Sequence, residues 1–508
     1  MESSTILPRL NADFLKHHPD LAPEGLAEAF PERVIQFGAG VFLRGFVDWM
    51  IDGMNRKGLF CGRVVVVASV NPGTIATLNQ QDGVYTHLAR GIENGRLVEE
   101  KRIVTAISRG IDPCKDFDAY LTCTHNPHLR FIVSNTTEAG IVYRPEDRQS
   151  DRPPVSFPAK LTRFLLERYK AFDGDMSKGF VLLPCELVER NGDRLKETVL
   201  QTANNWNLEP NILQWIAEAN IFTNTLVDRI VTGMPRDEIQ TLWQQSGYID
   251  ELFNTSEVFH LWVIEGPRGL AQELPLGEAG FNVIFPEDLT PYRDRKVRIL
   301  NGAHTTTVLA AYQAGQNLVG ECMRDPLFRD FMTRVIYDEV IPTLMLPKQE
   351  LETFAASVFE RFSNPFIQHA LLSISLNSVS KYKARVLPSI EQFLRTKEKL
   401  PIRLTFALAA LITFYRGTEI RDGALIGRRG AEEYHIQDSQ SVLEAFAGWW
   451  AEFDGTSEGI LGLTDAVLRR EDWWGEDLRQ LPGMSETVAQ YAESILNHGV
   501  RDTLQPLS

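Results

Sequence analysis

The residues best suited to chemistry lie in one stretch, Arg295-Lys296-Val297-Arg298-Ile299-Leu300-Asn301-Gly302-Ala303-His304-Thr305, where a lysine, an amide and an imidazole fall within nine residues. Such a trio can move a proton at a ketone or carbinol without a metal. The lysine acts as general acid or base, the asparagine donates to an oxygen gaining negative charge, and the histidine holds a substrate hydroxyl or the donor geometry. A lysine base needs burial and neighbouring cations that disfavour its charged form, and Arg295 and Arg298 are cationic neighbours in sequence. On an α-helix, at about 100° per residue, His304 follows Asn301 at i+3 and lies about 80° from Lys296, whereas Asn301 lies about 140° from it. Only a long, bent lysine could join the other two. The alternative is a solvated basic face of Arg293, Arg295, Lys296 and Arg298 on a core helix, and spacing alone leaves both readings open.

The elements ahead of this stretch alternate between strand and helix. Residues 33–37 read as a strand, Gly38-Ala39-Gly40 as a tight turn and residues 42–54 as the helix it opens. Glycines in such a turn let backbone approach a pyrophosphate, and the free amides at the helix start face its charge. The pattern stops short of GxGxxG, with Leu43 at the last position. A second strand over 63–70 should end on an acidic residue if it reads an NAD ribose. It ends Ser69-Val70-Asn71, so Asn71 or a backbone group must serve. A strand over 130–134 leads into Asn135-Thr136-Thr137-Glu138-Ala139-Gly140, a loop at a carboxyl end, where open α/β sheets bind ligands. Thr137 and Glu138 are therefore candidates for the nicotinamide side. A further strand over 179–183 precedes Cys185-Glu186-Leu187, and Asn191-Gly192 is either a polar donor or a plain turn.

From about residue 286 the pattern becomes helical, at 296–314, 325–341, 351–362, 365–378, 404–415 and 484–497. The breaker composition Pro286-Glu287-Asp288-Leu289-Thr290-Pro291 divides the chain into an α/β Rossmann-like part, residues 1–286, and an all-helical part, residues 287–508. That division sets Lys296 at the seam between the parts. The polar, Gly-rich stretch 418–438 reads as a surface excursion.

Several blocks, in order, carry a resemblance. They are Gly38-Ala39-Gly40-Val41-Phe42-Leu43-Arg44, Thr137-Glu138-Ala139-Gly140, Val227-Asp228-Arg229-Ile230-Val231, Trp262-Val263-Ile264-Glu265 and the Lys296 stretch with its K-x4-N-x2-H spacing. Together they resemble the long-chain polyol dehydrogenases of the mannitol dehydrogenase family, over about residues 30 to 415. The resemblance implies an α/β dinucleotide-binding domain with a mostly α-helical C-terminal domain, NAD as cofactor and hydride transfer. It implies Lys296, Asn301 and His304 as catalytic residues, and Phe42 and Arg44 beside Gly38 and Gly40 at the cofactor, the family's version of the turn being GxGxFxR. Asp228 is carried over as substrate-binding, with a buried structural pair of Asp228 and Arg229 as the other reading. Arg361 and Asn364 of the R-F-x-N element are carried over as substrate-binding too, with His369 beyond it; an arginine there suits a sugar acid, because a guanidinium pairs with a carboxylate bidentately. A salt bridge at a helix end is the other reading of Arg361, and Lys381 and Arg385 are further cations that could meet a carboxylate. Relatives carry Asn where Leu187 stands, which makes Asn191 a possible substitute donor. Within the family, the blocks at 134–140, 184–187 and 228–238 point to interconversion of D-tagaturonate and D-altronate. Fructuronate, or the fructose and mannitol pair, are alternative substrates, and a non-enzymatic NAD(H) or sugar-acid sensor is the alternative of another class.

At 508 residues, with 44% hydrophobic and 23% charged residues, the composition is that of a globular chain of two or three domains. A net charge of -15 opposes nucleic-acid binding. Five cysteines without CxxC spacing suggest neither a disulfide framework nor a metal site, and fit a reducing compartment. The first 22 residues lack an apolar signal core. The longest apolar run, 404–415, is too short for a bilayer, which requires about 20 residues. These observations give expectations of a cytoplasmic protein without membrane association whose partner is a small molecule; the resemblance makes that partner a sugar acid, and the chain is expected to be a monomer or homodimer. Gly455-Thr456-Ser457-Glu458-Gly459 fits GxSxG but follows no strand, so a nucleophile elbow is not expected there.

Overall fold

The computed structural model describes residues 7–21, 30–68, 72–136 and 140–508. Its chain divides into two compact units, one of Met1–Gly91 and Leu97–Leu289, the other of Ile92–Arg96 and Thr290–Ser508.

The strands of the first unit, in chain order, are β1 (Glu32–Phe37), β2 (Arg63–Val67), β3 (Tyr85–Glu93), β4 (Arg96–Val104), β5 (Ile107–Ile111), β6 (Phe131–Ser134), β7 (Val181–Pro184), β8 (Ile221–Phe222), β9 (Asn224–Asp228), β10 (Val231–Gly233), β11 (Asn254–Ser256), β12 (Leu261–Glu265) and β13 (Val283–Ile284). Six of them form a parallel sheet in the order β5-β2-β1-β6-β7-β8. Counted along the chain this is the 3-2-1-4-5-6 order of a doubly wound fold, and its switch point lies between β1 and β6. Both faces of the sheet are covered, so the strands are apolar without alternation: Val34, Val64, Val66 and Val133 enter one core, while Ile35, Val65, Val67 and Ile132 enter the other. The order places the Gly38–Gly40 turn and the segment after Ser134 together at the carboxyl ends of the two central strands. Two smaller sheets, β10-β11-β3-β4 and β13-β12-β9, complete this unit.

The second unit is built around the Ile402–Phe414 helix, whose residues from Arg403 to Phe414 are all buried. A helix apolar on every side must be enclosed, and this one packs against the Met484–Leu504 and Gly302–Gln313 helices. The latter continues directly from the Lys296 stretch and is itself buried from Gly302 to Tyr312, so the candidate catalytic residues stand on one of the most rigidly packed elements of the unit.

The expectation of an all-helical second part is corrected in two places. Residues 418–438 contain a three-stranded antiparallel meander, β14 (Ile420–Arg421), β15 (Ala424–Arg429) and β16 (Glu432–Ile436). Its Leu425, Tyr434 and Ile436 are buried, and two-residue turns at Asp422-Gly423 and Gly430 supply the positive φ a hairpin needs. The helix expected over 365–378 shrinks to Leu371–Ile374. Pro365 and the Oδ1 of Asn364, which accepts the Phe366 N–H at 3.0 Å, start a non-helical passage instead.

Candidate active site

The Lys296 stretch is not a regular α-helix. Thr290–Arg295 is α-helical, Lys296–Asn301 is a π turn, and the α-helix resumes at Gly302. The Gly302 N–H reaches the carbonyl oxygen of Val297, five residues back. A turn bonded i→i+5 holds more residues than 3.6, so Asn301 falls far closer in angle to Lys296 than the 140° of a uniform helix. The π turn removes the need for a bent lysine. It is anchored by the two arginines expected to press on Lys296, and these turn elsewhere. Arg295 is buried, pairs with Glu350 at 2.6 Å and lies over the Phe354 ring. Arg298 donates to the hydroxyls of Ser389 and Thr343, both at 2.9 Å. The solvated basic face is thus corrected for these two residues; Lys296 is half-buried.

His304 is buried, and its ring stacks on Phe362 with centroids 4.3 Å apart and meets His369 edge-on at 5.3 Å. Burial first, then His369, Arg385, Arg361 and Lys381, hold its pKa well below the usual value, so the imidazole is neutral. Its Nε2 is enclosed with no protein hydrogen-bond partner. An unmet buried nitrogen suits a substrate hydroxyl. The structure therefore brings together His304, Arg361 and His369, with Asn301 three residues ahead of His304 at the end of the π turn, and it adds Phe362, the stacking floor for the imidazole, which sequence reasoning did not single out. The R-F-x-N element carried the signal: its phenylalanine was as prominent as its arginine. Arg361 is buried, and so is Asn364, whose Oδ1 is occupied in its own turn.

In the first unit, Gly38 has φ +129°, and a Cβ there would stand 3.0 Å from the carbonyl oxygen of Asn135. A Cβ on Gly40 would meet nothing within 4 Å. Closed contact on one glycine and open space over the next, at the start of the helical run Val41–Leu43, fit a dinucleotide phosphate. Arg44 is buried beneath the turn and donates to the Ala39 carbonyl oxygen at 2.5 Å, so it braces the turn. Gln36 does the same through Gly38 O at 3.1 Å, and with its amide also bonds Asp48. Burial pushes the Asp48 carboxyl up to about 7, against the hydrogen bond from Gln36 and the nearby Arg44, which favour its charge. Phe42 is half-buried and stacks on Phe46 at 5.1 Å. Asn71, Thr137 and Glu138 lie outside the described residues.

Asn191 is corrected. It opens the Asn191–Asn205 helix and is 1% exposed. Its Nδ2 donates to the carbonyl oxygens of Pro184 at 2.9 Å and of Glu186 and Thr225 at 3.1 Å, and its Oδ1 accepts the Thr225 N–H at 2.9 Å. An amide so engaged has nothing left for a substrate; it straps β7 to β9. Asp228, the last residue of β9, is buried, but its neighbour Arg229 bonds the carbonyl oxygens of Glu257 and Gly45. Ser457 of the GxSxG string merely begins the Ser457–Leu468 helix.

Comparison with known proteins gives the family. The mannitol dehydrogenase Rossmann domain matches residues 32–278, and the mannitol dehydrogenase C-terminal domain matches residues 288–496. The chain belongs to the mannitol dehydrogenase family. Altronate oxidoreductases of Escherichia coli O6:K15:H31 and O139:H28 are each 46% identical over 479 residues, 94% of this chain and 97% of theirs. The fold is shared with a Pseudomonas fluorescens mannitol 2-dehydrogenase solved with NAD and D-mannitol, at TM-score 0.70 and 21% identity over 98% of this chain and 99% of that one. It is also shared with a substrate-free D-sorbitol dehydrogenase, at TM-score 0.78 and 20% identity over 98% and 100%. No described helix of this family member is long and apolar enough to cross a membrane.

Proposed function

We propose that the chain is an NAD-dependent reductase of the tagaturonate reductase type, interconverting D-tagaturonate and D-altronate. The observation that carries this reading is the 46% identity, across 94% of the chain, to proteins named altronate oxidoreductase. Gly38 and Gly40, with Phe42 and the Arg44 brace, hold the dinucleotide; Asn71, Thr137 and Glu138, the other contacts expected from the sequence, lie outside the described residues. NADH, when bound, supplies the hydride that turns the ketone carbon into a carbinol. In the reducing direction the Lys296 ammonium gives its proton to the substrate oxygen while the Asn301 amide donates a hydrogen bond to it as negative charge grows. In the reverse direction neutral Lys296 takes the hydroxyl proton. Neutral His304 offers Nε2 to a neighbouring hydroxyl, with Asp228, Arg361, Asn364 and His369 as further substrate contacts. The protein works in the cytoplasm, as a monomer or homodimer, and its partner is the sugar acid itself.

Steady-state kinetics with NADH on D-tagaturonate, D-fructuronate and D-fructose tests the reading. Greatest kcat/KM is expected on D-tagaturonate, with NADH preferred over NADPH. A higher value on fructuronate or fructose would move the assignment to a fructuronate reductase or a mannitol 2-dehydrogenase. NADH binding without turnover of any ketose would point to a sensor instead.

A further inference from the structure

Arg385 and Lys381 stand at i and i-4 on the Ser378–Arg385 helix, and so share one face. Both are half-buried. Arg385 donates to the Thr305 hydroxyl at 3.3 Å, and that hydroxyl in turn donates to the Asn301 carbonyl oxygen at 3.0 Å. The backbone of Arg385 comes as close, since a Cβ on Gly302 would lie 3.4 Å from its carbonyl oxygen. The guanidinium is therefore one residue removed from both Asn301 and His304. Lys381 donates to the Ile374 carbonyl oxygen at 2.8 Å. Among the described residues neither cation forms an ion pair. Asp438, the one acid that acts on Lys381, is engaged by the Tyr415 hydroxyl at 2.6 Å. Two like charges one turn apart repel, and burial adds to the cost of each. Both cations also act electrostatically on the buried imidazole of His304, whose Nε2 has no hydrogen-bond partner. A protein keeps such an arrangement when an anion joins it, and the anion a sugar acid brings is its carboxylate.

We propose that Arg385, supported by Lys381, receives the substrate carboxylate and sets the preference for a ketose acid over the corresponding neutral ketose. This rests on the function proposed above and deepens it, because it assigns the acid group to the Ser378–Arg385 helix rather than to Arg361 of the R-F-x-N element. The neutral comparison substrate is D-tagatose, which carries a hydroxymethyl group where D-tagaturonate carries the carboxylate.

The test is the ratio of kcat/KM on D-tagaturonate to kcat/KM on D-tagatose, in the wild type and in Arg385→Met, Lys381→Met and Arg361→Met. A lost charge-assisted bond costs about 10- to 100-fold, so the ratio is expected to fall by that factor in Arg385→Met and by less in Lys381→Met. Arg385→Lys, which keeps the charge and loses the fork, should fall between. A ratio unchanged in Arg385→Met and Lys381→Met but collapsed in Arg361→Met would overturn the proposal. Binding of D-altronate, read as a thermal shift, separates this question from catalysis and serves if the wild type turns over no hexuronate ketose. Stabilisation of the wild type that is lost in Arg385→Met supports the carboxylate site even then, whereas equal stabilisation of both, or of neither, sinks it. If Arg385→Met does not fold, Lys381→Met carries the same two readouts, and no change in either readout counts against the proposal.

Discussion

Replacing Asn191 by alanine separates a structural strap from a catalytic donor. The change strands the Thr225 N–H, which loses the Asn191 Oδ1 as its acceptor in a residue only 7% exposed. A buried donor left unmet costs about 1 to 3 kcal/mol. The carbonyl oxygens lose less, because Pro184 O keeps the Thr225 hydroxyl and Glu186 O keeps the Val188 N–H at 2.8 Å. With the small void added, the total is about 3 kcal/mol, or a drop in Tm of roughly 6 to 12 °C at the slope usual for domains of this size. Asn191→Asp should be worse than Asn191→Ala, since it aims a buried carboxylate at the oxygens of Pro184, Glu186 and Thr225. Melting curves followed by circular dichroism give Tm, and initial rates at 20 °C or so, on protein confirmed folded, give kcat. The expected pattern is a large loss of Tm with kcat within about threefold of wild type. A Tm that stays put while kcat falls about 100-fold would refute the strap and return Asn191 to the substrate.

Lys296→Ala should lower kcat by about 100- to 10,000-fold with little change in NADH affinity by fluorescence titration, and small primary amines should restore part of the rate. A variant with near-full kcat would make Lys296 a surface lysine. Gly38→Ala should weaken NADH binding or lower Tm, because its φ of +129° is strained for a side chain and the new Cβ meets the Asn135 carbonyl oxygen; unchanged behaviour in both assays would count against the turn as a cofactor cradle. Asp48, with its pKa raised by burial from 3.8 to about 7, holds a proton in the folded state that the unfolded chain has released. Its contribution to stability therefore declines as pH climbs from about 4 to about 7 and is level above that. The Tm of wild type minus that of Asp48→Asn should fall across this window, and a constant difference would mean that Asp48 is ionised throughout.

What the sequence alone determined lies in short-range pattern. The apolar run Val64 to Val67 reads as a strand, and Gly38-Ala39-Gly40 reads as a tight turn that can bring backbone near a ligand. The K-x4-N-x2-H spacing and the breakers around residue 289 are equally local, and periodicity and turn chemistry are written residue by residue. Where each side chain points was decided by tertiary packing. Arg295 and Arg298 read as neighbours of Lys296 until Glu350, Ser389 and Thr343 drew them away. Lys296 and Asn301 diverge on a regular helix and draw together only through the π turn. Asn191-Gly192 has the composition of a turn and becomes the start of a helix because β7 and β9 offer it carbonyl oxygens far along the chain. The meander at 420–436 escapes notice for a related reason: its strands are short and half polar, and only the residues they cover make them worth forming. His304 acquires its character from Phe362 and His369, some sixty residues on, and from cations that no spacing rule could have aimed at it. Such contacts depend on which buried groups can be satisfied together, and that is settled only when the whole unit closes around them.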